Sequence, residues 1–144
     1  MSKSPAQTKK IARFVLDRVK KQDIAGPRVM ALEGNLGSGK TTFVQGLSST
    51  LGIKERILSP TFVLIKIYQT AHRRFKHLIH IDCYRLRSSK DLLHLGFKDL
   101  LCDQDAIIVI EWADRIKKLI PHGALWIKFK HGKNPAERII KIKK

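Results

Sequence analysis

A glycine-rich segment of the sequence, residues 34–41 (GNLGSGKT), follows the pattern G-x-x-x-x-G-K-[ST]. Glycines let the chain turn at positive φ, so that successive backbone N–H groups converge on a phosphate. Lys40 would contact the outer phosphates of a nucleotide with its ammonium group, and the Thr41 hydroxyl would ligate Mg²⁺. The predicted nucleotide contacts from this segment are Asn35, Leu36, Gly37, Ser38, Gly39, Lys40, Thr41 and Thr42.

The residues on either side of this loop predict the elements that the motif requires. Residues 29–32 are apolar and indicate a strand buried on both faces. Residues 40–51 indicate a helix, because Phe43, Val44 and Leu47 recur on one helical face. A helix that begins at Lys40 would add the positive end of its dipole to the phosphate site. In this strand, loop and helix context the motif is far more specific than it is alone.

Two acidic residues follow predicted strands. Glu111 comes directly after the apolar residues 106–110, and Asp82 closes the predicted strand at residues 77–81. An acid at the end of a buried strand is typical of the carboxylate that holds the Mg²⁺ shell or orients water in a P-loop enzyme. We predict that role for Glu111 first and for Asp82 second. The structural alternative is that each acid only caps a strand end at the surface.

The remaining patterns predict the rest of an α/β fold. They are a helix over residues 5–22 that begins with the capping box Ser4-Pro5-Ala6-Gln7, an antiparallel pair of strands over residues 62–68 and 77–81, a helix over residues 90–101 interrupted near Gly96, and a closing hairpin of residues 125–130 and 138–142. Together they predict one P-loop NTPase-type domain over residues 1–144. It would have three layers, with a mixed, largely parallel central sheet and an antiparallel hairpin.

The chain is strongly basic, with 29 Lys plus Arg against 12 Asp plus Glu and a formal net charge of +17. Such a charge attracts polyanions, of which tRNA, rRNA, DNA and anionic membranes are candidates. A general bias towards lysine, which leaves the surface basic without a specific ligand, explains the charge equally well. Because the excess is spread along the chain, both interpretations stay open.

The expected location is the cytoplasm. Cys83 and Cys102 do not form a C-x-x-C pair, and two such thiols are typical of a reducing compartment. The first residues lack the apolar stretch of a signal peptide. No apolar run approaches the ~20 residues that span a bilayer, so we expect no membrane partner.

ATP is the predicted nucleotide. Guanine-selective P-loop proteins usually carry N-K-x-D after a later strand, and this tetrapeptide does not occur in the sequence. The one D-x-x-G, at residues 23–26, precedes the phosphate loop and is misplaced for a switch. We therefore expect ATP with Mg²⁺ as the cofactors.

Four segments occur in order and with compact spacing: GNLGSGKTT (34–42), SPTF (59–62), HIDCYRL (80–86) and EW (111–112). Their combination resembles the bacterial TsaE family (formerly YjeE), the ATPase partner in threonylcarbamoyladenosine modification of tRNA next to the anticodon. The resemblance covers essentially the whole chain. It implies an ATPase that works with the TsaD–TsaB pair and turns over slowly until they dock. Direct contact with tRNA through the basic surface would fit this reading.

The same resemblance implies roles for individual residues. Lys40 would bind phosphate, and Thr41 with Glu111 would hold Mg²⁺. Thr61 in the SPTF segment is similar to a switch threonine that senses the γ-phosphate, and Asp82 would contribute to hydrolysis. Thr8 and Lys133 are the counterparts of an N-terminal segment and a basic hairpin residue that approach the nucleotide in this family. One departure is Asn35, where the family commonly has Asp, and the lost charge is expected to affect turnover more than binding.

Other polar and aromatic residues near these segments have structural interpretations. We expect His80 to be packed and hydrogen-bonded to backbone, although it could be a metal ligand or a base. Tyr84 and Arg85 could stack on RNA, but pairing of Arg85 with Asp82 is favoured. Trp112 could stack on a base, yet after a buried strand it more often fills the edge of a core.

Two other functions fit parts of the sequence. A small-molecule or nucleoside kinase would need an arginine-rich lid, for which residues 73–74 are candidates, and an acid beside it to activate the acceptor hydroxyl, which is not evident. A basic RNA-binding module with a vestigial nucleotide site would bind RNA in a salt-dependent way and independently of ATP.

Overall fold

The computed structural model describes residues 1–58 and 64–143. Its strands are β1 (Arg28–Gly34), β2 (Ile65–Gln69), β3 (His77–Asp82), β4 (Ala106–Glu111), β5 (Leu125–His131) and β6 (Arg138–Lys143). They form one sheet in the order β2-β3-β4-β1-β5-β6. The inner strands β3, β4, β1 and β5 are parallel, while β2 and β6 pair antiparallel at the two edges. The predicted mixed, largely parallel sheet with a closing hairpin is confirmed.

The helices are α1 (Pro5–Lys20), α2 (Lys40–Thr50), α3 (Ser89–His94) and α4 (Phe97–Leu100), and a 3₁₀ segment covers Ala113–Leu119. The predicted break near Gly96 is confirmed, since this glycine lies between α3 and α4 with φ 86°. Helix α1 ends two residues before the predicted boundary. Of the helices in these described ranges, none combines the length and the apolar character that crossing a membrane requires.

Helices cover both faces of the sheet and give the predicted three layers. One core cluster joins α1 and α2 to the sheet, with Leu16, Phe43 and Met30 among its buried residues. The other joins α3, α4 and the 3₁₀ segment to the opposite face, and Phe97 and Ile108 belong to it. Neighbouring strand residues therefore point into different cores, which requires the continuous apolar runs seen in β1 and β4. Each such side chain contributes about 1.5–3 kcal/mol on full burial.

The residues before α1 are held against β6 and cap the helix. The backbone of Ser2 exchanges two hydrogen bonds of 2.7 Å with Arg138 at the start of β6. Ser4 then caps α1, because its Oγ accepts from the Gln7 backbone N–H at 3.2 Å, while Gln7 Oε1 accepts from the Lys3 backbone N–H at 2.7 Å. The predicted capping box is thus present, with its reciprocal bond made one residue earlier.

The strand pair predicted over residues 62–68 and 77–81 is seen as β2 and β3, which pair antiparallel from Ile65 with Ile81 to Gln69 with His77. Residues 62–63 of that prediction, like Thr61, lie outside the described residues. Immediately before β2, Leu64 adopts a left-handed conformation with φ 62°.

Candidate nucleotide site

The carboxyl ends of three parallel strands converge on the glycine-rich loop. In the strand register, Glu111 on β4 lies beside Leu32 of β1 on one side and Asp82 of β3 on the other. The loop continues directly from β1 into α2. The two acids that the sequence singled out are therefore neighbours at the edge where ligands of open α/β sheets bind.

The loop backbone needs glycine at its last turn. Gly39 is the residue before α2 and has φ 103°, a conformation in which a side chain would be strained. Gly34 at the end of β1 is required for a different reason, since a Cβ there would lie 2.7 Å from the backbone oxygen of Phe129 on β5. The loop therefore packs tightly against β5. It ends at the N-terminus of α2, where free backbone N–H groups can bind an anion.

Lys40 is folded back over the loop. Its side chain is buried, with 5% of the residue exposed, and Nζ donates to the backbone oxygens of Gly34 at 2.6 Å and Asn35 at 3.0 Å. The ammonium also lies 4.3 Å from the centroid of the Trp112 ring. Burial lowers the pKa of Lys40, while the carboxylates of Glu111, Asp82 and Asp114 act in the opposite direction.

A chain of hydrogen-bonded polar groups connects α2 to β3, with its first member, Thr41, partly exposed. Thr41 Oγ1 donates to Glu111 Oε1 at 2.9 Å, and Glu111 Oε2 lies 3.0 Å from Nε2 of His80. His80 is fully buried and Glu111 is 2% exposed. His80 is buried, as expected. The prediction that it bonds to the backbone was wrong, because β3 and β4 are adjacent and bring the Glu111 carboxylate to the imidazole ring.

Asp82 is also buried, and its Oδ1 accepts from the backbone N–H of Tyr84 at 2.9 Å. The oxygens of Thr41, Glu111 and Asp82 are the hard donors that Mg²⁺ prefers. Within residues 1–58 and 64–143, no cluster of three His, Cys, Asp or Glu side chains could enclose a metal. The donor set fits Mg²⁺ that arrives with nucleotide phosphates and retains water, and not a cage made by protein alone.

A cavity of about 430 Å³ opens above these groups. Its lining includes the predicted residues Thr8, Leu36, Gly37, Ser38, Gly39, Lys40, Thr41, Thr42, Asp82 and Glu111. Asn35 is not in this lining and instead lines a neighbouring depression. The Thr8 hydroxyl lies 2.8 Å from Ser2 Oγ, so the folded N-terminus forms one wall.

Arg138, which none of the sequence motifs indicated, lines the cavity. The predicted hairpin residue, Lys133, is exposed and is not among the lining residues. Arg138 reaches the cavity at the start of β6, where it pairs with Ser2, and Pro135 and Ala136 of the hairpin turn line the cavity beside it, whereas Lys133 lies earlier in the turn. A basic residue at the first position of the predicted strand was the available signal.

Trp112 both packs against the second core cluster and forms part of the cavity wall. The expected position of Trp112 at the edge of a core is confirmed, and the residue also borders the cavity. The backbone of Trp112 is left-handed with φ 58°, and its ring centroid lies 4.9 Å from that of Tyr84. Arg115 lies over both rings, at 5.4 Å from Tyr84 and 5.5 Å from Trp112. Tyr84, Trp112 and Arg115 thus contact one another, and the Trp112 ring lies beside Lys40.

Comparison with known proteins gives one consistent result. A family model described as "Threonylcarbamoyl adenosine biosynthesis protein TsaE" matches residues 2–140. The tRNA threonylcarbamoyladenosine biosynthesis protein TsaE of Treponema pallidum is 40% identical over 99 residues, 69% of this chain and 70% of that protein. The protein of the same name from Rickettsia typhi is 33% identical over 142 residues, 98% of this chain and 91% of its own length.

A solved structure agrees with these relatives. The crystal structure of Bacillus subtilis YdiB is 31% identical and superposes with a TM-score of 0.71, covering 96% of this chain and 80% of that one. The TsaE protein of the same organism is 35% identical over 127 residues, 88% of this chain and 73% of its own length. The resemblance that the four sequence segments carried is confirmed over nearly the whole chain.

Proposed function

Because this chain belongs to the TsaE family, we propose that it is the ATP-binding and ATP-hydrolysing subunit for threonylcarbamoyladenosine modification of tRNA next to the anticodon. It would act in the cytoplasm with the TsaD–TsaB pair. The observation that carries the proposal is the Thr41–Glu111 hydrogen bond of 2.9 Å at the N-terminus of α2, beside Lys40. A hydroxyl and a carboxylate from distant parts of the chain are brought together where a P-loop enzyme needs its Mg²⁺ ligands.

Phosphate binding would use groups that are already oriented. The backbone N–H groups of the loop and the N-terminus of α2 supply fixed partial positive charge. Lys40, now bonded to two loop carbonyls, would exchange those contacts for phosphate oxygens. Burial lowers the pKa of Lys40, and an anionic ligand beside the amine would favour its charged ammonium form. Thr42, Thr8 and Lys133 are the remaining proposed nucleotide contacts, with Arg138 added by its place in the cavity wall.

Thr41 and Glu111 would hold Mg²⁺, which when bound neutralises charge on the β- and γ-phosphates. His80 keeps the Glu111 carboxylate directed at the loop through its other oxygen. Asp82, buried next to Glu111 in the register, is the proposed residue for orienting the attacking water. Thr61, outside the described residues, is the proposed sensor of the γ-phosphate.

The test is ATP binding and hydrolysis by the wild type and by Lys40→Ala, each alone and with TsaD–TsaB and tRNA. Lys9→Ala, which removes an exposed lysine of α1, is the matched control. We expect a low basal rate, stimulation by the partners, and loss of about ten- to hundredfold in nucleotide affinity only in Lys40→Ala.

Each alternative gives a different result. ATP binding that the partners do not stimulate, together with transfer of phosphate to a small acceptor, would indicate a kinase. RNA binding with no dependence on ATP or on Lys40 would indicate a vestigial nucleotide site. Either result would overturn the proposal.

A further inference from the structure

The outer face of the β5–β6 hairpin carries a concentration of positive charge. Strand pairing places Trp126 opposite Lys143, Lys128 opposite Lys141 and Lys130 opposite Ile139. These six residues form what we call the lysine face. The alternate residues, including Ile127, Phe129 and Ile140, point to the other side and pack in the core with α1 and α2. Side chains alternate between the two faces along a strand. Because Ile127, Phe129 and Ile140 face the core, Lys128, Lys130, Lys141 and Lys143 all lie on the outer face.

The charge on this face is only partly balanced. Strands β5 and β6 contain no Asp or Glu. Glu33 on the neighbouring strand β1 forms an ion pair of 2.8 Å with Lys128. Lys128 and Lys141 nevertheless lie directly opposite each other, an arrangement of like charges that destabilises a strand pair. Such an arrangement is favourable when an anionic partner covers it.

A groove beside the lysine face supplies a second recognition element. It has a volume of about 340 Å³ and lies between the hairpin and the 3₁₀ segment, lined by Glu33, Lys117, Trp126, Ile127, Lys128 and Lys143. Glu33 is paired with Lys128, which leaves Lys117 and Lys143 as the other cations of this lining. Trp126 is half-buried, so one part of its ring packs towards the core while the rest faces the groove. Lysines around a partly exposed indole are the components with which proteins bind single-stranded nucleic acid, by phosphate contacts and base stacking.

We propose that the lysine face binds an unpaired segment of the tRNA substrate. Lys130, Lys141 and Lys143 contact its phosphates, and Trp126 stacks on one base. The proposal rests on the proposed function only for the identification of the RNA as tRNA. Lys130 also lines the depression that contains Asn35, so RNA on this face lies next to the phosphate loop. Charge complementarity selects RNA over a neutral apolar partner.

The experiment measures binding of an unmodified tRNA transcript by fluorescence anisotropy at several salt concentrations. The test variant combines Lys130→Gln, Lys141→Gln and Lys143→Gln, and the matched control combines Lys9→Gln, Lys10→Gln and Arg13→Gln on the exposed side of α1. Each lowers the net charge from +17 to +14. For three lost phosphate contacts to a single strand, we expect the salt slope to fall by about 2 and the affinity by roughly 10- to 100-fold at physiological salt. The control should retain wild-type binding, and Trp126→Leu should lose affinity without a change in slope.

Equal losses in both triple variants would show that binding is diffuse, and unchanged binding in the test variant would place the RNA elsewhere. Either overturns the proposal. Unchanged tRNA binding combined with lost stimulation by TsaD–TsaB would make this face a protein-docking surface instead, which also overturns it. Thermal melting verifies that each variant folds. ATP hydrolysis by the wild type is measured in parallel, so a protein that binds tRNA through this face but never hydrolyses ATP would contradict only the proposed function.

Discussion

His80 Nε2 and Glu111 Oε2 lie 3.0 Å apart in the interior of the protein, on adjacent parallel strands. Glu111 directs its other oxygen to Thr41 at the N-terminus of α2. The His80 imidazole therefore orients the Glu111 carboxylate, which we propose as a magnesium ligand. Residues outside the coordination shell commonly orient metal ligands in this way. Within the described residues, Nδ1 of His80 has no hydrogen-bond partner, so Glu111 is the contact that orients the ring.

Replacing His80 by alanine should destabilise the protein by about 1–3 kcal/mol, because a buried carboxylate loses a hydrogen-bond partner. His77→Ala is the matched control, since His77 and Asp103 form a similar pair of 2.9 Å with about a third of each side chain exposed. That pair should contribute below about 1 kcal/mol. Urea unfolding of both variants measures the difference. Equal losses of unfolding free energy in the two variants would mean that the buried His80–Glu111 pair stabilises the fold no more than the exposed pair does.

Replacing Glu111 by glutamine keeps the shape of the side chain and removes its charge. If this carboxylate holds Mg²⁺, the loss of one charged contact of about 1.5–3 kcal/mol should raise the magnesium concentration needed for ATP hydrolysis by roughly ten- to hundredfold. Glu33→Gln, on the lysine-face side of β1, is the control and should leave the magnesium dependence unchanged. An unaltered magnesium titration in Glu111→Gln would contradict the assignment.

The lowered pKa of Lys40 predicts a pH dependence. Burial disfavours the ammonium, so its deprotonation begins below the ordinary lysine pKa of 10.5. Since phosphate binding requires the cation, ATP affinity should decline as pH rises from neutral into that range, earlier than for a surface lysine. The unfolded state binds the Lys40 proton more tightly, so the contribution of Lys40 to stability rises with pH in the same window.

Calorimetric titration of ATP between about pH 7 and pH 10 tests this dependence, with Lys40→Ala as the control. The variant should bind weakly and show a flatter profile. If its profile matches that of the wild type, another group is responsible for the pH dependence.

Gly46 in α2 should be intolerant of a side chain. A Cβ at this position would lie 2.7 Å from Cα and 2.9 Å from the backbone oxygen of Lys9 in α1. Alanine favours an exposed helix by about 1 kcal/mol over glycine, but separating two packed helices costs about 1–3 kcal/mol, so Gly46→Ala should lower the melting temperature. Gly123→Ala, where a Cβ has no heavy atom within 4 Å, should have little effect. A higher melting temperature for Gly46→Ala would show that α1 and α2 move apart at little cost.

Much of the fold could be predicted because its signals are local. The apolar runs of β1 and β4, the helical spacing in α2 and the turn at Gly96 each depend on a few neighbouring residues. The phosphate loop belongs to the same class, since its glycines and Lys40 lie in one continuous segment. The strand-end acids Glu111 and Asp82 were also recognisable, because an acid after a buried strand is visible without knowledge of strand order.

Contacts between distant residues were decided by the tertiary structure. The pairing of His80 with Glu111 follows from β3 and β4 being adjacent, and an isolated histidine in a strand gives no sign of that partner. Arg138 reaches the cavity because the N-terminus pairs with β6 at Ser2, whereas Lys133 in the hairpin turn does not line it. The sequence alone thus determined the kind of chemistry that this chain can perform, through groups held within single segments. Strand order and helix packing decided which distant side chains complete the site, because those depend on burial summed over the whole chain.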